Sequence, residues 1–215
     1  MRPVPARGSM ASMTTELSAV VLVGSLSPSP AASSSELLGR QVLDALAPHG
    51  VTGEVVRLVD HDIKPGVEAD MGPGDAWPAI RERVMAADIL VLATPIWMGQ
   101  PSSVTKRALE RLDAELSNTD EQGRLATYGK VAAVAVVGNE DGAHHVSAEL
   151  FQALNDVGFT IPAAGITYWV GEAMAGTDYR DLDETPEATA GTTATVAANT
   201  AHLARLLKDS GYPPA

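Results

Sequence analysis

Asp88-Ile-Leu-Val-Leu-Ala-Thr-Pro-Ile-Trp-Met-Gly-Gln-Pro-Ser-Ser-Val-Thr-Lys106 is a short apolar run leading at once into a punctuated loop. Ile89 to Ala93 are consecutive apolar residues with nothing polar between them. A strand with one face in water alternates. An unbroken run suits a strand buried on both faces of a parallel sheet. The run stops at Thr94-Pro95, Gly99 and Pro101 punctuate the loop, and a helix is expected from about Ser102. In an open α/β sheet, ligands bind in the crevice beyond the carboxyl ends of the strands. Trp97 and Met98 fall there. A large apolar pair with no core left to enter either meets a flat ligand or covers the sheet edge, and we read it as meeting a ligand.

The same pattern recurs along the chain. Val20 to Val23 and Val131 to Val137 are further apolar runs, and Ile166 to Val170 is another. Val55 to Val59 is interrupted by Arg57, as an edge strand would be. Helical periods fall between them. Leu38, Val42, Ala45 and Leu46 mark the first, stopped by Pro48-His49-Gly50. Asp75 can cap a second, with Pro78 in its first turn and Ile80, Val84 and Met85 on its face. Val104, Ala108, Leu112 and Leu116 mark a third; Val146, Leu150, Leu154 and Val157 a fourth, closed by Gly158. A last helix is expected over about Ala194 to Lys208, with Leu203, Leu206 and Leu207 inward. Strands alternating with helices predict an α/β fold, a parallel sheet with helices on both faces. Five strands fit a flavodoxin-like doubly wound sheet of order 2-1-3-4-5. His61 to Gly74, Ser117 to Gly129 and Gly171 to Gly191 are irregular. The last is long for a structureless loop and suggests a binding lid or a subunit contact.

At 215 residues the chain is one domain with a full core. Hydrophobic residues make up 45% and charged residues 20%, an ordinary globular mix. It has no cysteine, which excludes a disulfide framework, thiol catalysis, an iron–sulfur cluster and a thiolate zinc site. A net charge of −12 argues against nucleic acid or an anionic membrane as partner. It leaves room for an anionic cofactor, since local backbone donors outweigh a distant acidic surface. No run approaches the roughly 20 apolar residues that span a bilayer. Residues 1–17 contain Arg2 and Arg7 but no apolar stretch of useful length behind them, so a cytoplasmic chain is expected. We set that segment apart as a loose tail, an alternative start or an expression remnant, with the domain over residues 18–215.

Three loops would make a site. The first, Gly24-Ser-Leu-Ser-Pro-Ser-Pro-Ala-Ala-Ser-Ser-Ser35, leads from a strand into a helix. A helix N-terminus offers free N–H groups and a positive dipole end, a natural phosphate site. Ser25, Ser27, Ser29, Ser33, Ser34 and Ser35 are candidate donors to a phosphate monoester, and no Lys or Arg lies in the loop. The alternative is a Ser/Pro-rich turn with Ser33 or Ser34 as an ordinary N-cap. The second loop is Thr94 to Gly99. The third is Gly138-Asn-Glu-Asp-Gly-Ala-His-His145, whose Gly138 and Gly142 permit close approach of backbone. Asn139 and nearby N–H groups can pair with a heterocycle edge. Adjacent histidines do not share a helix face, so no metal site is expected; His144 or His145 orienting a substrate carbonyl is the better reading. Fingerprints for dinucleotide, P-loop and serine-hydrolase chemistry are all missing. Asp60-His61-Asp62 reads as a solvated turn.

Over about Val20 to Lys208 the chain resembles the flavodoxin-like NAD(P)H-dependent FMN reductases, including quinone reductases of the tryptophan-repressor-binding-protein type. The Ser25 to Ser35 segment is similar to that family's FMN phosphate loop. Thr94-Pro95-Ile96-Trp97-Met98-Gly99 is similar to its isoalloxazine loop, and Gly138-Asn139-Glu140-Asp141-Gly142 to its second flavin loop. Many members have Arg two residues after a Gly-Ser in the phosphate loop, and Ser27 stands there in this chain. Where the quinone reductases have Gly-Gly, this chain has Asp141-Gly142-Ala143. The resemblance implies bound FMN, two electrons from NAD(P)H to a quinone, a flavin or a similar small acceptor, and a homodimer or homotetramer. It casts N–H groups near Glu140 to Gly142 as stabilisers of charge on the reduced ring. An electron-carrying flavodoxin without reductase activity is the first alternative. A flavin-free regulatory domain on the same scaffold is the second.

Overall fold

The computed structural model describes residues 16–214. Its sheet contains β1 (Leu17–Val23), β2 (Val51–Arg57), β3 (Ile89–Trp97), β4 (Gln100–Pro101), β5 (Val131–Gly138) and β6 (Ile166–Val170). The parallel strands run in the order β2-β1-β3-β5-β6, and β4 pairs only with β3. With that short antiparallel addition set aside, this is the expected 2-1-3-4-5 order. The helices are α1 (Ser34–Leu46), α2 (Trp77–Ala86), α3 (Ser103–Leu112), α4 (Ala143–Asp156) and α5 (Glu187–Asp209).

The unbroken apolar runs have the cause expected of them. Val20 and Leu22 of β1, Leu90 and Leu92 of β3, and Val134 and Val136 of β5 pack under α2, α3 and α4. Their neighbours Val21, Val23, Val91, Ala93, Ala133 and Ala135 pack under α1 and α5. Every second residue thus faces one layer and the rest face the other, and both layers are buried.

The α1–α5 side of the sheet is built from small residues, and the helices come close. A Cβ on Gly39 of α1 would lie 2.9 Å from Val21 and 3.0 Å from Ala93. Along α5 the buried positions are Thr189, Thr193, Val196, Ala197, Thr200, Ala201 and Ala204. That corrects the expectation for the last helix. It starts at Glu187, and Leu206 is exposed while Leu203 and Leu207 are only partly buried. Alanines and threonines fit the narrow gap over the sheet better than leucines do.

Two boundaries also move. Leu17, grouped with the tail on sequence grounds, opens β1 and is buried; residues 1–15 of that tail lie outside the described residues. The second strand begins at Val51 and gives way after Arg57 to a 3-10 turn over Leu58–Asp60.

Candidate functional site

β3 does not stop at Thr94. It runs to Trp97, turns through Met98 and Gly99, and returns as β4, with Trp97 opposite Gln100. Both turn residues have positive φ, +53° at Met98 and +74° at Gly99. That is the backbone of a tight two-residue hairpin, and it costs a side chain such as methionine some strain. The hairpin lifts Trp97 and Met98 out of the core; they are 55% and 90% exposed. Behind them, the Thr94 hydroxyl is used up inside the protein. It accepts from Ser102 N (3.2 Å) and Thr105 Oγ1 (2.9 Å). Ser102 Oγ in turn donates to Gly24 O at 2.6 Å. These buried hydroxyls fasten the loop after β1 to the loop after β3.

A cleft of about 200 Å³ opens at the carboxyl ends of the strands. It brings the three loops together: Ser25, Ser27, Ser33, Ser34 and Ser35 of the first, Pro95 and Trp97 of the second, Gly138 and Asn139 of the third. A larger open groove of about 850 Å³ runs along α3 and α4, away from these loops' meeting point. The strand-end cleft is the candidate site, because the fold places its ligands there.

At one end of the cleft lies the start of α1. Ser33 is its N-cap and accepts from Glu36 N at 3.2 Å. The N–H groups of Ser34 and Ser35 begin the helix and have no carbonyl one turn back to bond. The loop leading in is held from below. Arg57 Nη1 donates to Ala31 O (2.7 Å) and Ser27 O (3.2 Å), and its guanidinium pairs with Glu36. Burial pushes the Glu36 carboxyl up, but Arg40 and Arg57 outweigh it and hold it below its usual range. Arg57 does stand on an edge strand, as expected, but its side chain is buried. It is a buried cation under the serine loop. Ser29 is held from the side: Asp60 accepts its N–H at 2.8 Å and its hydroxyl at 2.6 Å. Those bonds keep the Asp60 carboxyl below its ordinary value. Asp60, His61 and Asp62 are all exposed, the solvated turn expected of them, and from that turn Asp60 clamps the loop.

At the other end the lining is aromatic and apolar. Trp169 of β6 joins Trp97 there, and Tyr179 packs 5.5 Å from Trp169 between ring centroids. Tyr179 is buried, and its hydroxyl donates to Gln41 Oε1 at 2.6 Å. The segment after β6 thus folds back over the cleft. Asn139 Nδ2 fastens it by donating to Thr177 O (3.1 Å) and Asp178 Oδ1 (3.2 Å). Arg180 Nη1 donates to Ala32 O, and Arg180 N to Ser34 Oγ at 3.3 Å.

Several expected residues are placed elsewhere. Ser29 is outside the cleft because Asp60 holds it. Thr94 faces inward. Ile96 is buried beneath Gly138, where a Cβ would lie 2.9 Å from it. Met98 and Gly99 form the hairpin tip. Glu140 accepts Gly99 N at 3.3 Å, and Asp141 accepts Gly142 N at 2.7 Å, so these two N–H groups are already partnered. Gly142 abuts the hairpin: a Cβ there would lie 3.0 Å from Gly99 Cα. The structure does not bring His144 or His145 into the cleft. Both sit exposed on the first turn of α4, where Ala143 and Val146 take the inward positions. His144 meets Tyr168 edge-on at 5.1 Å, and His145 lies 3.0 Å from Glu149 on the larger groove. Trp169, Asp178, Tyr179 and Arg180 were missed. Trp169 carries the same strand-end signal as Trp97. Arg180 carries none, since only the chain's return over the cleft puts it there.

The residues fit FMN. One end offers a helix N-terminus, hydroxyls and a guanidinium for a phosphate; the other offers flat aromatic walls for a ring. Among the described residues there is no cluster of metal-ligating side chains, and no helix is long and apolar enough to cross a membrane.

Comparison with known proteins agrees with this. Residues 17–175 match the family model of the NADPH-dependent FMN reductases. The 8-demethyl-8-aminoriboflavin-5'-phosphate synthase of Streptomyces davaonensis is 32% identical over 206 residues, covering 91% of this chain and 80% of that one. A crystal structure of RosB with bound 8-demethyl-8-formylriboflavin-5'-phosphate superposes with a TM-score of 0.83 at 32% identity, covering 91% of this chain and 82% of that one. A Mycobacterium bovis protein named divalent metal cation transporter MntH is 40% identical over 169 residues; the match covers 77% of this chain and only 25% of that protein. With its flavodoxin-like sheet and its strand-end cleft, the chain belongs to the NADPH-dependent FMN reductase family, whose flavin is FMN and whose electron donor is NADPH.

Proposed function

We propose that this chain is an FMN-dependent oxidoreductase that takes electrons from NADPH or NADH and passes them to a quinone, a second flavin or a similar flat acceptor. The observation that supports this is the two-ended chemistry of the cleft, anion-binding at the start of α1 and aromatic at Trp97 and Trp169. When bound, FMN supplies the chemistry of hydride acceptance and donation. The chain's own residues bind and orient. The first N–H groups of α1, with the Ser27 and Ser35 hydroxyls, hold the phosphate. Pro95, Trp97 and Trp169 wall the ring. Trp97 is more than half exposed, so the cleft remains open to a second flat molecule. A homodimer or homotetramer is the assembly that the family resemblance brings with this reading.

The test is anaerobic. Protein loaded with FMN should lose its visible absorbance within seconds of adding NADPH or NADH and regain it with a benzoquinone. If neither nicotinamide reduces the flavin but dithionite does so in separate one-electron steps, the protein is an electron carrier. Likeness to a protein named as a flavin-phosphate synthase favours a flavin over a quinone as the second molecule. Faster NADPH oxidation with free FMN than with benzoquinone would bear that out.

A further inference from the structure

The phosphate end of the cleft lacks something. Residues 24–35 contain no Lys or Arg. Arg57 lies under that loop, but it is buried, points its donors at Ser27 O and Ala31 O, and pairs with Glu36, so its guanidinium is turned away from the cleft. The helix N-terminus and the hydroxyls are neutral donors. A phosphate monoester with close to two negative charges would meet no unneutralised cation from the serine loop itself.

Arg180 is the cation that lines the cleft. It arrives from the other side, on the segment after β6, and reaches the start of α1 through two contacts. Its Nη1 donates to Ala32 O, and its backbone N–H donates to Ser34 Oγ. Its side chain remains 39% exposed, with Asp178 at 3.1 Å and Asp181 at 3.8 Å as its carboxylate neighbours. Asp178 is shared, since it also accepts from Asn139. A phosphate dianion competes well for a solvent-facing guanidinium held by one shared and one distant carboxylate, because guanidinium matches phosphate with paired donors.

We propose that Arg180 is the phosphate-recognising cation of this cleft, and that it selects FMN over riboflavin. The role rests on the reading that FMN binds here. It also ties phosphate recognition to the segment over the cleft: Tyr179, beside Arg180, is the residue that packs on Trp169 at the ring end. One short piece of chain therefore serves both ends of the ligand. This explains how the loop after β1 can dispense with a cation of its own.

Flavin fluorescence titrations of wild type, R180A and R180K with FMN and with riboflavin test it. R180A should bind FMN at least about tenfold more weakly, the loss of one charge-assisted contact, while riboflavin changes by less than about twofold. The dependence of FMN affinity on salt should flatten in R180A and persist in R180K, which keeps the charge. A melting curve without flavin checks that each variant is folded. Equal losses for FMN and riboflavin would show that Arg180 only holds the segment in place, and the proposal fails. It fails alone if wild type and R180A bind FMN equally. If wild type quenches neither flavin, the flavin reading falls and takes this inference with it.

Discussion

Ser33 and Ser35 are two residues apart and have different roles. The Ser33 hydroxyl accepts from Glu36 N and caps α1, so changing it to Ala should cost about 1 kcal/mol of stability whether or not a ligand is present. Ser35, on the first turn, and Ser27, in the loop, line the cleft. The double change S27A/S35A should therefore weaken FMN at least tenfold, at roughly 1.5–3 kcal/mol for each hydrogen bond to a charged group, and leave riboflavin nearly unaffected. Isothermal titration with both flavins reads this directly; matched losses would make the serines structural. H144A and H145A should leave flavin affinity unchanged, since neither ring lines the cleft. Serines at the head of a helix announce an anion site in the sequence because the backbone supplies most of the binding. Arg57 could not be read that way. Its burial depends on Glu36 and on two carbonyls 26 and 30 residues away.

Among the elements, the site is a set of strand ends held in register. The β3–β4 hairpin and the loop into α4 touch at Gly99 and Gly142, backbone against backbone. Gly142 has φ +129° and no room for a Cβ. G142A should cost more than about 1 kcal/mol, displace the hairpin tip and weaken both flavins alike, because it moves the ring wall and not the phosphate end. Urea midpoints with and without flavin would separate the two effects. Apolar runs and helix periods made the sheet and its order legible, since burial on two faces leaves a mark on consecutive residues. The hairpin was hidden. A positive-φ Met98 next to Gly99 lacks the usual Asn-Gly turn signal, and Thr94-Pro95 reads as the end of a strand that in fact continues. The start of α5 was hidden for another reason: its buried face is alanine and threonine, which a search for leucines passes over.

Across the entire domain, flavin and folding are linked. FMN at a hundredfold excess over its dissociation constant should add about 2.7 kcal/mol of stability. For a chain of this size that is roughly 5–10 °C in melting temperature. A second, independent anchor lies on the α2–α3 side of the sheet. Asp75 and Arg111 form a 2.7 Å ion pair with neither side chain exposed. Asp75 also accepts from Lys64 N, Met71 N and Trp77 N, while Arg111 donates to Lys64 O and Glu68 O. This pair organises the irregular stretch from His61 to Gly74, where the sequence offered no element to assign. The Arg111 guanidinium, against the opposing effect of burial, holds the Asp75 carboxyl well below its ordinary value. A carboxyl depressed in the folded state binds fewer protons there than in the unfolded chain. Its contribution is full above the unfolded value, about pH 4, and is lost as pH falls toward the folded one. Replacing Arg111 with Met should cost about 3–5 kcal/mol near neutral pH, because it leaves a buried carboxylate without its counter-charge. Below about pH 4 the gap between variant and wild type should narrow, as the lone carboxyl in the variant takes up its proton first. Denaturant unfolding at pH 7 and pH 3 measures both numbers. A gap that stays constant or widens in acid would mean that the pair stabilises this side of the molecule by packing rather than by charge.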